Sequence, residues 1–213
     1  MALQRRAERL LAGSARRLLG DRRLLIATNR GPVSFAAGQG ELRPRRGSGG
    51  LVTALSQVSR HVPLTWIAAP MSEGDRVGIA EPALIDRAMR GEMRLRFVPL
   101  ERAQYEAAYN VIANPLLWFL QHQMYELPSR PMIDAGTLRA WQNGYVPVNE
   151  AFARAVLRQA TDDDRPRIML HDYHLYLAPA MIRARRPGAL ISHFTHIPWP
   201  PSSLWQVISP SIR

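Results

Sequence analysis

The sequence predicts an α/β protein built on a Rossmann-like parallel sheet. Short apolar runs of strand length recur along the chain and alternate with longer amphipathic segments, the order that buries a parallel sheet between helices. Polar clusters rich in Arg, Asp and His follow directly on three of those runs, where parallel sheets bind their ligands. The 213 residues contain no cysteine, so neither a disulfide framework nor a Cys-based zinc site competes with this reading.

In chain order, residues 1–20 read as a helix, with Leu3, Leu10, Leu11, Leu18 and Leu19 spaced between arginines and Gly20 as a stop. The segment has the Arg-rich, acid-poor composition of a transit peptide, but its amphipathic spacing favours a helix docked on the domain. Residues 1–22 are therefore set apart from a domain over 23–213. Leu24–Thr28 is a run the size of a buried strand, Asn29–Gly50 reads as a loop rich in Gly, Pro and Arg, and Leu51–Val58 as a helix. Leu64–Ala69 is a second strand, stopped by Pro70. Residues 80–90 read as helix and Leu95–Val98 as a third strand. The apolar, aromatic segment Tyr109–Tyr125 is expected to be mostly helical, as are residues 146–160, which carry Val148, Phe152, Val156 and Leu157 at suitable spacing. Arg167–Leu170 is a strand that runs into His171, 175–186 a helix and Ala189–Phe194 the last strand.

Hydrophobic residues make up 46% of the chain, enough for a core at this length, and no apolar run reaches membrane-spanning length. A soluble protein of the cytoplasm without a membrane partner is expected; an oligomer is compatible with the sequence. No lysine occurs among the 28 basic residues, which excludes Schiff-base chemistry and a Walker A loop. The net charge of +11 calls for anionic partners, and eleven of the arginines fall within the first 46 residues. Nucleic acid is the weaker choice of anion: the arginines are not interleaved with aromatics, and no helix-turn-helix, zinc-finger or RNP motif occurs. Phosphorylated metabolites are the stronger one.

Three polar clusters sit at predicted strand ends: Asn29-Arg30-Gly31-Pro32, His171-Asp172-Tyr173-His174, and His193 to Pro200. Arg30 beside a Gly-rich loop suits phosphate oxygens, which a guanidinium holds bidentately, although a lone loop arginine also fits a surface ion pair. Gly47-Ser48-Gly49-Gly50 before a helix would offer backbone N–H groups to an anion, although such loops are more often plain turns. His171 and His174, three apart with Asp172 between, would share a metal only on a helix; at a strand-to-loop junction Asp172 is better read as an acceptor of sugar hydroxyls. The segment from Tyr109 to Trp118 fits core packing, or a sugar-stacking wall where a ring faces a cleft.

As a set, these motifs resemble the trehalose-6-phosphate synthase family of retaining glycosyltransferases, family 20. The matching pieces are Thr28-Asn29-Arg30, Ser48-Gly49-Gly50-Leu51, Tyr109-Asn110 with Asn114 and Trp118, Gly144-Tyr145-Val146-Pro147-Val148-Asn149, His171-Asp172-Tyr173-His174-Leu175 and His196-Ile197-Pro198-Trp199-Pro200, in the family's order from about Leu24 onward. The resemblance implies the N-terminal, acceptor-binding half of a GT-B enzyme, with the C-terminal donor domain lying outside these residues and the fragment inactive alone. It implies transfer of glucose from UDP-glucose or GDP-glucose to glucose 6-phosphate, without a required metal or other cofactor. By the same resemblance, Arg30, Tyr109 and Asp172 would hold the acceptor, Gly49, Gly50 and His196 the donor, and Trp118 and Ile197 would select the anomer. Asp172 and His196 would face the reacting atoms.

One departure bears on the acceptor. The family has a second tryptophan three residues beyond the one matching Trp66, and here Ala69 stands in its place. Loss of that ring would reshape the pocket, as in the pseudo-glycosyltransferases that make validoxylamine phosphate. A related enzyme with another sugar or cyclitol phosphate acceptor, and a non-catalytic sugar-phosphate-binding module, are the alternatives.

Overall fold

The structure is a computed structural model, described for residues 2–20, 22–38, 41–47, 50–91, 93–124, 133–208 and 212. Helix α1 (Ala2–Leu19) leads into β1 (Leu24–Thr28), followed by an antiparallel hairpin of β2 (Val33–Gly38) and β3 (Glu41–Arg46). Helix α2 (Gly50–Ser59), β4 (Leu64–Ala68), α3 (Glu73–Ala80), α4 (Pro82–Met89) and β5 (Arg94–Phe97) complete the first half. The second half begins with one continuous helical rod: α5 (Arg102–Ala107), a π-helical segment (Ala108–Trp118) and α6 (Phe119–Gln121). A second rod joins α7 (Ala135–Ala140), a π turn (Trp141–Tyr145) and α8 (Val146–Gln159). Strand β6 (Arg167–His171), a 3-10 turn (Tyr173–Leu175), α9 (Ala178–Arg185), β7 (Leu190–Phe194) and α10 (Ser202–Trp205) follow.

Five strands form one parallel sheet in the order β5-β4-β1-β6-β7. The period-2 alternation of strands divides the core in two. Leu25, Ala27 and Ile67 face the helical rods, α9 and the carboxyl-terminal segment, whereas Ile26, Trp66 and Leu95 face the hairpin and α4. Both faces of β1 and β4 are therefore covered, which is why these strands read as unbroken apolar runs.

The predicted strands and most helices stand where expected, within a residue or two. The main correction is the segment 29–50, which folds as a hairpin rather than a loop. Its Gly, Pro and Arg content hides the alternation of Val33 and Phe35, both buried; Phe35 meets Phe97 edge to face, with ring centroids 6.1 Å apart. A buried carboxylate pins it: Asp75 accepts from the backbone N–H groups of Phe35 at 2.7 Å, Met71 at 2.8 Å and Ser72 at 3.0 Å. The helix expected over 80–90 is α4, started by Pro82; a further helix, α3, which the sequence reading omitted, precedes it and is started by a capping box of Ser72 and Asp75. The rod expected from Tyr109 begins earlier, at Arg102, and its predicted end at Tyr125 lies outside the described residues. Helix α1 touches the domain at its carboxyl end, where Leu19 is buried, while Leu10 and Leu18 remain 62% and 63% exposed.

Candidate active site at the carboxyl ends of β1 and β6

From β1 the chain steps outward to β4 and β5, then returns to place β6 and β7 on the other side. The sheet thus reverses direction between β1 and β6, and ligands of parallel sheets bind at the carboxyl ends of such a pair. Asn29-Arg30 leaves β1 and Asp172 leaves β6 at this place.

The backbone there is tightly tied. Trp66 Nε1–H donates to Thr28 Oγ1 at 2.7 Å, and that hydroxyl donates to the carbonyl of Arg30 at 2.5 Å. Asn29 Oδ1 accepts from Tyr105 O–H at 3.1 Å. The Tyr105 ring stacks on Tyr109 with centroids 5.7 Å apart, and Tyr109 stacks on His174 at 5.7 Å. The Arg30 guanidinium is close enough to influence both ends of this stack: burial raises the Tyr105 pKa against a lowering by Arg30, and burial together with Arg30 pushes His174 down to about 4. Arg30 itself is exposed and has no ion-pair partner among the described residues. Arg30 therefore stands near both ends of the stack of Tyr105, Tyr109 and His174.

Asp172 adopts φ 69° and ψ 169°, a region that is essentially glycine's alone, so this residue carries backbone strain at the site. The turn is held by Asp172 N–H donating to Phe194 O at 2.9 Å and by His196 N–H donating to Asp172 Oδ1 at 3.1 Å. His196 Nε2 lies 3.0 Å from His171 Nδ1, and His193 Nε2 lies 3.1 Å from Asp172 O. Burial first, then the neighbouring His196 and His193, push His171 down to about 4. His171 and His174 point to different partners, so they do not form the shared metal pair considered from spacing; among the described residues no three His, Asp or Glu side chains converge as metal ligands.

The structure thus brings Arg30, Tyr109, Asp172 and His196 to one end of the sheet. Gly50 opens α2, and Gly49 lies outside the described residues. Trp118 is half-buried and stacks on His122 at 4.0 Å; it sits one turn beyond Asn114, whose Oδ1 accepts from Tyr173 O–H at 3.1 Å. Ile197 packs half-buried against the main core. Ala69 is fully buried in that core, with its N–H donating to Asn29 O at 3.2 Å, so the missing ring leaves no open cleft here. The crevice lined by Asn29, Tyr105, Tyr109, Tyr145 and His174 encloses only about 10 Å³.

Sequence reasoning left Tyr105 out, weighed His174 only as half of a metal pair, and carried Asn149 only as part of a motif. Asn149 is fully buried and braces the site from behind. Its Nδ2 donates to Tyr145 O at 2.9 Å and His174 O at 3.1 Å, and its Oδ1 accepts from Leu177 and Ala178 N–H, both at 3.1 Å. The signal for it was a polar residue on the apolar face of a predicted helix.

The fold is a Rossmann-like α/β domain with Arg30, Asp172 and His196 at the carboxyl ends of its strands. Residues 22–211 match the model of glycosyltransferase family 20, and the chain belongs to that family. It is 31% identical over 195 residues to an α,α-trehalose-phosphate synthase [UDP-forming] of Aspergillus fumigatus, covering 89% of this chain and 38% of that protein. It is 34% identical over 190 residues to a trehalose-6-phosphate synthase of Mycobacterium ulcerans, covering 88% and 35%. A validamine 7-phosphate valienyltransferase of Streptomyces hygroscopicus is 25% identical over 195 residues, covering 89% and 39%. Among solved structures, an Escherichia coli protein bound with UDP-2-fluoro glucose superposes with a TM-score of 0.62 at 20% identity, over 89% of this chain and 36% of that one. A Burkholderia xenovorans α,α-trehalose-phosphate synthase (UDP-forming) in complex with glucose 6-phosphate gives 0.61 at 20% identity, over 89% and 36%. The chain spans less than two-fifths of the length of each of these proteins.

Proposed function

We propose that this chain is the acceptor-side half of a retaining glycosyltransferase that transfers glucose from a nucleotide-glucose donor to glucose 6-phosphate, giving α,α-trehalose 6-phosphate. The observation that carries this reading is the convergence of Arg30, Tyr109 and Asp172 at the switch point of the sheet. An exposed guanidinium beside a tyrosine stack suits the acceptor phosphate, and a carboxylate whose backbone is pinned suits sugar hydroxyls. Kinship with UDP-forming synthases makes UDP-glucose the favoured donor. The donor diphosphate would meet the backbone N–H groups at the start of α2 and the exposed His196. Trp118 and Ile197 would shape the space where the α-linkage forms.

In this reading the acceptor oxygen bonds to C1 of the glucosyl group on the face from which the diphosphate leaves. The C1–O bond to the diphosphate breaks, and the acceptor proton passes to the departing diphosphate oxygen. No protein nucleophile is required. The residues of this chain contribute orientation and electrostatic stabilisation, no metal is required, and the cytoplasm supplies both substrates. No helix among the described residues is long and apolar enough to cross a membrane.

The test is a calorimetric titration of the 213-residue chain with glucose 6-phosphate, beside Arg30→Ala. Saturable binding that the variant weakens by about tenfold or more is expected, since a charge-assisted pair to phosphate is lost. Binding indifferent to Arg30, or its absence from the folded protein, would overturn the acceptor assignment. The valienyltransferase relative favours one second reading, a cyclitol phosphate acceptor; tighter binding of validamine 7-phosphate than of glucose 6-phosphate would establish it.

A further inference from the structure

At the amino ends of β1, β4 and β5, opposite the crevice, three arginines share a cavity of about 630 Å³. Arg23 precedes β1, Arg60 follows α2 and Arg94 opens β5; Ser59, His61 and Asp86 add to the polar lining. Asp86, the one carboxylate among the described lining residues, is committed elsewhere, accepting from Arg96 Nη1 at 2.7 Å and Nη2 at 2.8 Å. Among the described residues no carboxylate pairs with Arg23, Arg60 or Arg94. Arg60 donates to Gln57 at 3.0 Å, and half-buried Arg23 reaches Thr65 Oγ1 at 3.5 Å. Burial, then Arg94 and Arg96, lower the Arg23 pKa. Arg23 and Arg94 also border an adjoining concavity, where Asp163 is paired with Arg22 and Asp162 is exposed.

Guanidinium groups crowded around a concavity whose one described carboxylate is already paired with Arg96 repel one another, and a bound anion relieves the repulsion. Guanidinium forks match phosphate oxygens, and the volume is that of a small-ligand pocket. We propose that this cavity is a second site that binds a small phosphorylated metabolite, a phosphoester or diphosphate, through Arg23, Arg60 and Arg94. Its lining offers no Phe, Tyr or Trp on which a nucleic-acid base would stack. The length of β1, about 16 Å for five residues, separates it from Arg30. The inference is independent of the reading of the upper site.

The test is calorimetric titration of the 213-residue chain with pyrophosphate, for the unaltered chain and for Arg30→Ala, Arg94→Gln and Arg139→Gln. Arg94 and Arg139 are both exposed, so thermal melts of the two variants should match the unaltered chain, and Arg139→Gln controls for net charge. Pyrophosphate binding that survives Arg30→Ala, weakens about tenfold in Arg94→Gln and stays within about twofold in Arg139→Gln is expected. Loss of all binding in Arg30→Ala would overturn the second site. So would equal weakening in Arg94→Gln and Arg139→Gln, or no effect of Arg94→Gln.

Discussion

His171 Nδ1 lies 3.0 Å from His196 Nε2, with the two rings stacked 5.2 Å apart and inclined by 17°. One proton serves this contact, donated by one ring and accepted by the other. A second proton between the two nitrogens would set N–H against N–H, beside Asp172 and at the end of the sheet where the transferred sugar is proposed to sit.

That pairing predicts acid sensitivity. His171 and His174 are both held down to about 4, chiefly by burial, and His171 Nε2 and His174 Nδ1 are buried without a partner among the described residues. In the unfolded chain these rings take up protons near pH ~6.5. Between that pH and about 4 the unfolded state binds more protons, so stability falls as the pH falls through this window. Thermal melts from pH 7.5 to 4.5 should show Tm dropping below about pH 6, with a shallower drop in His171→Gln and His174→Gln. Parallel profiles for all three proteins would show that these rings are not responsible.

Asp172→Asn separates charge from conformation. Asparagine is isosteric with aspartate, bears the same backbone cost at this position and keeps an acceptor for His196 N–H, so stability should stay within about 1 kcal/mol. The carboxylate is lost, and glucose 6-phosphate binding should weaken by about tenfold. Undiminished binding would remove Asp172 from the acceptor site.

Asn149→Ala should cost about 2–4 kcal/mol in urea denaturation, because Leu177 and Ala178 N–H lose their acceptor in a buried place. The turn carrying Asp172 and His174 would loosen with it, so sugar-phosphate binding should weaken as well. A cost below about 1 kcal/mol would mean that water replaces the amide without loss.

Gly144→Ala tests the contact between the two helical rods. An added Cβ would stand 2.7 Å from Ala107 Cβ, 2.9 Å from Ala108 N and 3.0 Å from Gln104 O, and two of these atoms are backbone. A loss of about 2 kcal/mol is expected, read from the same denaturation experiment. A neutral outcome would mean that the rods separate freely at this point.

Much of the fold was legible locally. Strands β1, β4 and β6 announced themselves as short apolar runs because neighbours bury both of their faces. The hairpin of β2 and β3 was hidden because its stability comes from Asp75 and Phe97, far along the chain, rather than from its own turn-like composition. The π-helical character was hidden too: Tyr109–Tyr125 reads as ordinary helix, yet widened turns are what absorb Pro115, and Gly144 lets the two rods approach.

By itself, the sequence determined the class of fold, the six motifs and the places of three of them at strand ends, since apolar period and turn chemistry are local properties. Only the tertiary structure decided that β6 lies beside β1, which brings Asp172 to the same end of the sheet as Arg30. It alone stacked Tyr105, Tyr109 and His174 around Arg30, placed Asn149 behind them, and gathered Arg23, Arg60 and Arg94 at the opposite end. These are relations between distant segments, set by which apolar faces must cover one another, and no local period encodes them.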